Sequence, residues 1–70
     1  MPDMQMVQSS SIEAIGYDSD TRELFVRFVG GKVYAYLDVD EQVFQQLLMA
    51  NSKGSYVNRE IKRRYRFDPR

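Results

Sequence analysis

The sequence predicts an α+β fold: a three-stranded antiparallel β-meander followed by two helices packed on one face of the sheet. Three observations support this prediction. The first half of the chain holds short runs of β-branched and aromatic residues separated by turn residues. The second half places apolar residues at helical spacing instead. The length of 70 residues is enough for one domain only.

The predicted strands cover residues 11–17, 22–29 and 31–38. In the first strand Ile12 and Ile15 would fall on opposite faces, so we expect a β-bulge near Gly16 to re-aim one of them. Residues 18–21, Asp-Ser-Asp-Thr, have the short polar side chains of a turn. Gly30 and Gly31 then separate the second strand from the third, which predicts a hairpin.

The register of that hairpin has two possible forms. A two-residue loop would place Val33, Ala35 and Leu37 beside the apolar face of the second strand. A three-residue loop, with Gly31 in the left-handed region, would place Val26 opposite Tyr34 and Leu24 opposite Tyr36. We favour the second form, because two large rings would help to fill the core of a short chain.

The first helix is predicted over residues 41–50, with Asp38 and Glu41 as a capping box. Ser55 is expected to cap a second helix over residues 56–65. Residues 1–8 are predicted to be a flexible arm, residues 9–67 the domain, and residues 68–70 a tail, with ordered structure ending at Asp68-Pro69. The apolar periodicity predicts that the most buried side chains are Val26, Phe28, Phe44, Leu47, Leu48 and Ile61.

The composition argues against several classes of function. The chain has no cysteine and no histidine, so the usual metal ligands and the usual neutral-pH general base are missing. Neither of the acidic pairs Asp18/Asp20 and Asp38/Asp40 has a candidate nucleophile with a base beside it. We therefore expect a non-enzyme without a cofactor. No apolar run is long enough for a membrane span and the N-terminus lacks the pattern of a secretory signal, so we expect a cytoplasmic protein.

The net charge of zero hides a marked asymmetry along the chain. Residues 1–49 hold three basic and eight acidic residues, a net charge of −5. Residues 50–70 hold seven basic and two acidic residues, a net charge of +5. Such asymmetry is typical of a chain with a polyanionic partner.

The candidate phosphate contacts are basic residues of the predicted second helix and the turn before it. Arg59, Lys62, Arg63 and Arg66 would share one helix face, which could bind phosphates or simply be solvated. Lys53 lies in the turn of residues 52–55, whose backbone amides could hold an anion. A plain helix–helix turn is favoured instead, because the glycine spacing of a phosphate-binding loop is missing. Tyr34 and Tyr36 could stack on unpaired bases, or they could be half-buried residues of the sheet.

The order of these features resembles the KTSC domain, a short module found alone in bacterial proteins and at the C-terminus of some lysyl-tRNA synthetases. The resemblance covers about residues 9–67. It rests on an ordered set of residues: Ile15, Gly16, Tyr17, Asp18, Leu24, Val26, Phe28, Gly31, Tyr34, Ala35, Tyr36, Val39, Ala50, Ser52, Gly54, Tyr56, Asn58, Ile61 and Tyr65. Asp40 stands where members commonly have proline. The resemblance implies no catalytic residues, and its synthetase context suggests RNA binding.

Together these observations predict a small non-catalytic module that binds RNA or another nucleic acid through its C-terminal basic helix. The alternative is a protein–protein interaction module. Its contact surface would be the sheet face opposite the helices, which is expected to be exposed and to carry Phe25, Val33, Ala35 and Leu37.

Overall fold

Five antiparallel strands form one sheet in chain order, β1-β2-β3-β4-β5. The fold is seen in a computed structural model that describes residues 2–70. The elements are β1 Gln5–Met6, β2 Ile12–Asp18, β3 Glu23–Phe28, β4 Val33–Tyr36, helix α1 Glu41–Met49, helix α2 Lys53–Tyr56, the π-helical segment Val57–Ile61 that continues α2, and β5 Phe67–Pro69. The predicted α+β class is confirmed, but the predicted number of three strands is wrong.

The two additional strands come from the ends of the chain. In β1, Gln5 pairs with Ile15 of β2, and in β5, Phe67 pairs with Tyr36 of β4. The prediction that ordered structure ends at Asp68-Pro69 is therefore wrong, since both residues belong to β5. Strands of two and three residues are too short to show an alternating pattern, and their existence depends on a neighbouring edge that offers free backbone groups.

The register of the β3–β4 hairpin is the one that the sequence favoured. Val26 lies opposite Tyr34 and Leu24 opposite Tyr36. The Phe28 amide donates to the Lys32 carbonyl at 2.8 Å, which leaves residues 29–31 as the loop. Gly30 and Gly31 have φ angles of +105° and +96°, a region that side chains disfavour.

The β-bulge of β2 occurs earlier than predicted. The register shifts between Ile12 and Ala14, not at Gly16, and the shift allows both Ile12 and Ile15 to enter the same core. Gly16 has a different role. A Cβ atom at this position would lie 2.8 Å from the Asp3 carbonyl oxygen and 2.8 Å from the Met4 Sδ, so glycine lets the N-terminal segment cross the strand closely.

Both helices begin at caps other than the predicted ones. The Asp40 carboxylate, not that of Asp38, accepts a hydrogen bond from the Gln42 amide at 3.1 Å and caps α1. Asp38 has a φ of +58° instead, a conformation that short polar residues tolerate. The Ser52 hydroxyl accepts from the Ser55 amide at 3.3 Å, so α2 begins three residues earlier than expected.

The predicted helix over residues 56–65 is replaced by a shorter and wider one. The Lys62 amide donates to the Val57 carbonyl at 2.9 Å, five residues back, which is the hydrogen bond of a π-helix. This turn buries both Val57 and Ile61, and the helical segment ends at Ile61. Residues 62–64 form a turn that leads toward β5.

The main core lies between the sheet and the helices. It is formed by nine buried side chains: Ile12, Ile15, Leu24, Val26, Tyr36, Val39, Leu47, Val57 and Ile61. Of the residues predicted to be most buried, Val26, Leu47 and Ile61 are in this set, whereas Phe28, Phe44 and Leu48 are only half-buried at its border. These border residues pack against the core with one side and meet solvent with the other.

The opposite side of the sheet, here called the far face, is covered as well. Phe25, Val33 and Ala35 are 4%, 9% and 0% exposed and pack together with Met4. The Arg70 guanidinium lies 5.9 Å from the centre of the Phe25 ring and pairs with the Glu23 carboxylate. The sequence-based expectation of an exposed apolar face is wrong for these residues, because both ends of the chain fold over them.

Candidate nucleic-acid interface

The candidate phosphate-binding residues lie where the helical segment ends and the chain turns toward β5. Arg59 is on the π-helical segment, Lys62 follows its last residue, Arg63 is in the turn, and Arg66 directly precedes β5. We call these four residues the basic surface. They do not share one helix face as predicted, because the helical segment ends at Ile61. Arg59 lies on that segment, and the other three lie on the connection from it to β5.

The basic surface is rich in uncompensated positive charge. Three ion pairs form within residues 2–70, Arg22–Asp38 at 3.7 Å, Arg64–Glu60 at 3.3 Å, and Arg70–Glu23. None of them includes a residue of the basic surface, and all four of its side chains are exposed. Cations that are not neutralised by a carboxylate are free to bind an external anion.

Two residues of the basic surface make local contacts that orient them. The Arg59 Nε donates to the Ser55 carbonyl at 3.4 Å, one helical turn back. The Lys62 ammonium lies 5.2 Å from the centre of the Phe28 ring, in the geometry of a cation–π contact. Both contacts leave donors free, since a guanidinium has five N–H groups and an ammonium three.

Lys53 occupies a different place from the basic surface. It begins α2, at the opposite end of the helical segment from Lys62, and its ammonium donates to the Ala50 carbonyl at 2.7 Å. The amide of Ser55 is taken by the Ser52 hydroxyl. The turn of residues 52–55 therefore satisfies several of its polar groups internally, as an ordinary helix–helix connection does.

The two tyrosines differ in accessibility. Tyr36 is 1% exposed and belongs to the main core, so its ring offers no open face to a base. Burial, and secondarily the neighbouring Tyr34, raises the pKa of the Tyr36 hydroxyl. Tyr34 is half-buried and lies between Phe28 and Phe67, with ring centres 5.5 Å and 4.8 Å away.

Phe67 is the residue near this site that the sequence reasoning missed. It is 49% exposed and packs on both Tyr34 and Tyr36. The available signal was its position directly after Arg66, since aromatic residues interleaved with basic ones are typical of nucleic-acid-binding surfaces. The predicted domain ends at Phe67 and is followed by a tail of residues 68–70, so the sequence predicts no strand that would place the Phe67 ring on the sheet.

A cavity of about 740 Å³ lies between the two helices, beside the basic surface. Arg59 is the charged residue of its lining, and Met49, which is 83% exposed, lies on the α1 side. The Tyr56 hydroxyl donates to the Gln46 side-chain oxygen at 2.9 Å and joins the two helices there. The cavity thus holds one residue of the basic surface and is otherwise neutral.

Residues 2–70 contain no group of three or more acidic, histidine or cysteine side chains that could hold a metal ion. Over the same residues, no helix has the length and apolar character needed to cross a membrane.

The fold and the site together define a small α+β domain in which a five-stranded sheet carries two short helices and a basic C-terminal surface. The KTSC domain model matches residues 8–65, which is most of the chain. The protein therefore belongs to the KTSC domain family, and the resemblance seen in the sequence is confirmed.

Similar proteins of known sequence and structure agree with this assignment. A protein of Tsukamurella paurometabola is 49% identical over 63 residues, covering 90% of this chain and 94% of its own. A lysine–tRNA ligase of Nostoc punctiforme is 34% identical over 61 residues, which cover 87% of this chain and 11% of that enzyme. The crystal structure of a KTSC domain protein from Yersinia pestis superposes with a TM-score of 0.88 at 39% identity, covering 94% of this chain and 93% of the other.

Proposed function

We propose that this KTSC domain binds nucleic acid, and RNA in particular, through the basic surface. The observation that carries the proposal is the set of four exposed cations without a carboxylate partner among residues 2–70. Three of the four are arginines, whose planar guanidinium matches two phosphate oxygens at once. A surface of this kind binds polyanions with little dependence on sequence.

The charge of the rest of the chain supports the same proposal. Residues 1–49 carry a net charge of −5, and residues 50–70 carry +5. A phosphate backbone is therefore attracted to one part of the molecule and repelled from the other, which favours a single orientation of the bound strand.

The relatives add a reason to favour RNA. Lysine–tRNA ligases of Nostoc punctiforme and Trichormus variabilis contain a segment that is 34% identical to this chain. An enzyme that acts on tRNA places any attached segment close to RNA. We extend that setting to the present chain as part of the proposal.

The protein-contact alternative has less support. The contact surface would be the far face of the sheet, but its residues Phe25, Val33 and Ala35 are at most 9% exposed, because Met4 and Arg70 cover this face. A partner would first have to displace both ends of the chain.

The experiment is a titration of the protein into fluorescently labelled RNA at several salt concentrations, followed by anisotropy. Four phosphate contacts predict a slope of about −3 in log K against log salt, at roughly 0.7–0.9 per contact. Arg59→Ala and Arg63→Ala should each weaken binding and flatten that slope by about 0.7–0.9. Neither should lower the melting temperature, since both side chains are exposed.

The matched control is Arg22→Asn. This variant also removes one positive charge, but from the acidic part of the chain, and asparagine tolerates the φ of +60° at this position. RNA affinity should be unchanged in it. A lack of saturable binding up to about 100 μM protein at low salt, where even non-specific complexes form, would refute the proposed function.

A further inference from the structure

Three aromatic side chains from three different strands lie side by side on the helix-covered side of the sheet. Tyr34 is in the middle, with Phe28 of β3 at 5.5 Å and Phe67 of β5 at 4.8 Å between ring centres. We call these three residues the aromatic row. The row exists because β5 pairs with β4. Phe67 lies directly opposite Tyr36, and its ring also contacts that of Tyr34, which is two residues before Tyr36 on the same strand.

The row is covered at one end and open at the other. Phe28 and Tyr34 are half-buried and pack against the main core. Phe67 is 49% exposed, and its aromatic neighbours Tyr34 and Tyr36 are both residues of β4, on the sheet side. An aromatic side chain that packs on the sheet with one side and is half exposed has a ring surface available to a further planar group.

Positive charge borders the row at two places. The Lys62 ammonium, a member of the basic surface, lies over Phe28 at 5.2 Å from its ring centre. On another side, Lys32 lines a cavity of about 320 Å³ together with Tyr34 and Pro69. Val33 and Arg70 of the far face complete its lining, and the charge of Arg70 is already paired with Glu23. An aromatic surface flanked by cations matches the chemistry of nucleic acid, whose bases are planar and whose backbone is anionic.

We propose that the aromatic row is a stacking site for unpaired bases, with Phe67 as the principal contact, so that the ligand class of this domain is single-stranded nucleic acid. The proposal rests on the proposed function and narrows it. Bases within a duplex are already stacked and paired, and their faces are out of reach of a protein side chain. A duplex could still bind the basic surface through its phosphates, but it could not use Phe67.

The sharing of Lys62 explains how the two sites would act together. The ammonium lies over the ring at one end of the row and is also one of the four phosphate-binding candidates. A single strand whose backbone contacts Lys62 would lie beside Phe28, and its bases could then turn toward the neighbouring rings of Tyr34 and Phe67.

The test compares a labelled single-stranded RNA with the duplex of the same sequence, each titrated with the parent protein and with Phe67→Leu. Leucine keeps an apolar side chain on β5 but removes the ring. Single-strand affinity should fall about 5- to 160-fold, the loss expected for one stacked base. The salt dependence should keep its slope, because no charge is removed, and duplex affinity should not change.

Two control variants separate stacking from folding and from general apolar contact. Phe67→Tyr keeps the ring and should bind single strands as the parent does. Met49→Leu alters another exposed apolar residue, on α1, and should have no effect. Thermal unfolding of Phe67→Leu establishes that the domain is folded in the assay.

The possible results distinguish this proposal from the proposed function. Equal single-strand affinities of Phe67→Leu and the parent, with Arg63→Ala still weakened, would overturn the stacking site and leave the basic surface in place. Equal loss of duplex and single-strand binding in folded Phe67→Leu would also overturn it. Sedimentation that shows a dimer in the parent and a monomer in Phe67→Leu, without a change in RNA affinity, would assign the row to self-association instead. An absence of RNA binding by every variant would overturn both proposals.

Discussion

The two faces of the sheet are buried to a similar degree by different means. On the helix side, Leu24, Val26 and Tyr36 are covered by Leu47, Val57 and Ile61, which belong to the helical half of the chain. On the far face, Phe25, Val33 and Ala35 are covered by Met4 and Arg70 from the two ends. The first cover consists of aliphatic packing within the interior, and the second of one thioether and one charged side chain.

This difference shows how a chain of 70 residues covers two faces with one pair of helices. A small domain buries a low fraction of its surface and has few residues available to cover a second face of the sheet. The Arg70 guanidinium lies over the Phe25 ring and also pairs with the Glu23 carboxylate, so one charged side chain takes part in the cover. We expect the helix side to determine global stability, and the far face to open locally with a lower free energy.

The helix-side cover should respond most strongly to substitution. Leu47→Ala removes a side chain that is 0% exposed and should lower the free energy of unfolding by roughly 2–5 kcal/mol, measured by urea denaturation. Met49→Ala on the same helix is the control, because Met49 is 83% exposed and should change stability little. Equal effects of the two variants would mean that α1 does not pack as described.

The N-terminal part of the far-face cover can be displaced by adding a single methyl group. Gly16→Ala would place a Cβ atom 2.8 Å from the Asp3 carbonyl oxygen and the Met4 Sδ. We expect a loss of roughly 1–3 kcal/mol, as for other overpacked sites. Hydrogen exchange should show faster exchange at β1 and at Val7, whose amide bonds to Glu13.

Met4→Ala provides a double-mutant cycle for the same contact. If the clash with Met4 is a main cause of the loss, the double variant should be more stable than the sum of the two single effects predicts. Unchanged stability and unchanged exchange in Gly16→Ala would show that the N-terminal segment does not lie on the sheet.

The C-terminal part of the cover should contribute less. Arg70→Gln removes the ion pair with Glu23 and the cation over Phe25, with a loss of about 0.5–1 kcal/mol, because the guanidinium is partly exposed and such pairs are weak. The loss should shrink at high salt. Arg64→Gln breaks the exposed ion pair with Glu60 and should lower the free energy of unfolding still less. A larger loss in Arg64→Gln than in Arg70→Gln would show that the pair with Glu23 does not stabilise the far-face cover.

The smallest expected effect is the alkaline pH dependence of the helix side. Burial raises the pKa of Tyr36, so the folded state holds this proton more tightly than the unfolded state. The tighter hold on this proton stabilises the folded state fully below the unfolded pKa of about 10. This stabilisation is lost as pH rises through the folded pKa. Tyr36→Phe should therefore unfold less readily than the parent as pH rises above about 10. If the free energies of unfolding of Tyr36→Phe and of the parent, measured in urea, changed with pH in parallel, the Tyr36 hydroxyl would not be buried.

The sequence predicted the parts of the fold that depend on local chemistry. The Gly30-Gly31 pair and the need for large core residues identified the register of β3 and β4. The π-helical turn was not predictable, because the packing of Val57 and Ile61 decides it rather than residue preference. The caps were shifted because Asp40 and Ser52 compete with Asp38 and Ser55, and the sequence alone does not rank them.

In the candidate site, too, the sequence predicted what depends on local residue patterns and not what depends on tertiary packing. The sequence identified the cations of the basic surface by their number and spacing. That they have no ion partner among residues 2–70 became visible only in three dimensions. Tyr34 and Tyr36 are equivalent in the sequence, yet Phe67 and the helices leave one half-buried and the other inside the core. Pairing between distant strands decides that difference, and periodicity carries no information about it.

The position of β5 has a consequence for the order of folding. Thirty residues lie between the partners Tyr36 and Phe67, whereas four lie between Asp18 and Glu23 at the β2–β3 turn. Loop-closure entropy makes the longer connection about 2 kcal/mol less favourable to close. We therefore expect the hairpins β2–β3 and β3–β4 to form early and β5 to be added late. Tyr34 and Phe67 first meet in that step, so the surface proposed to receive bases is completed only when folding is nearly finished.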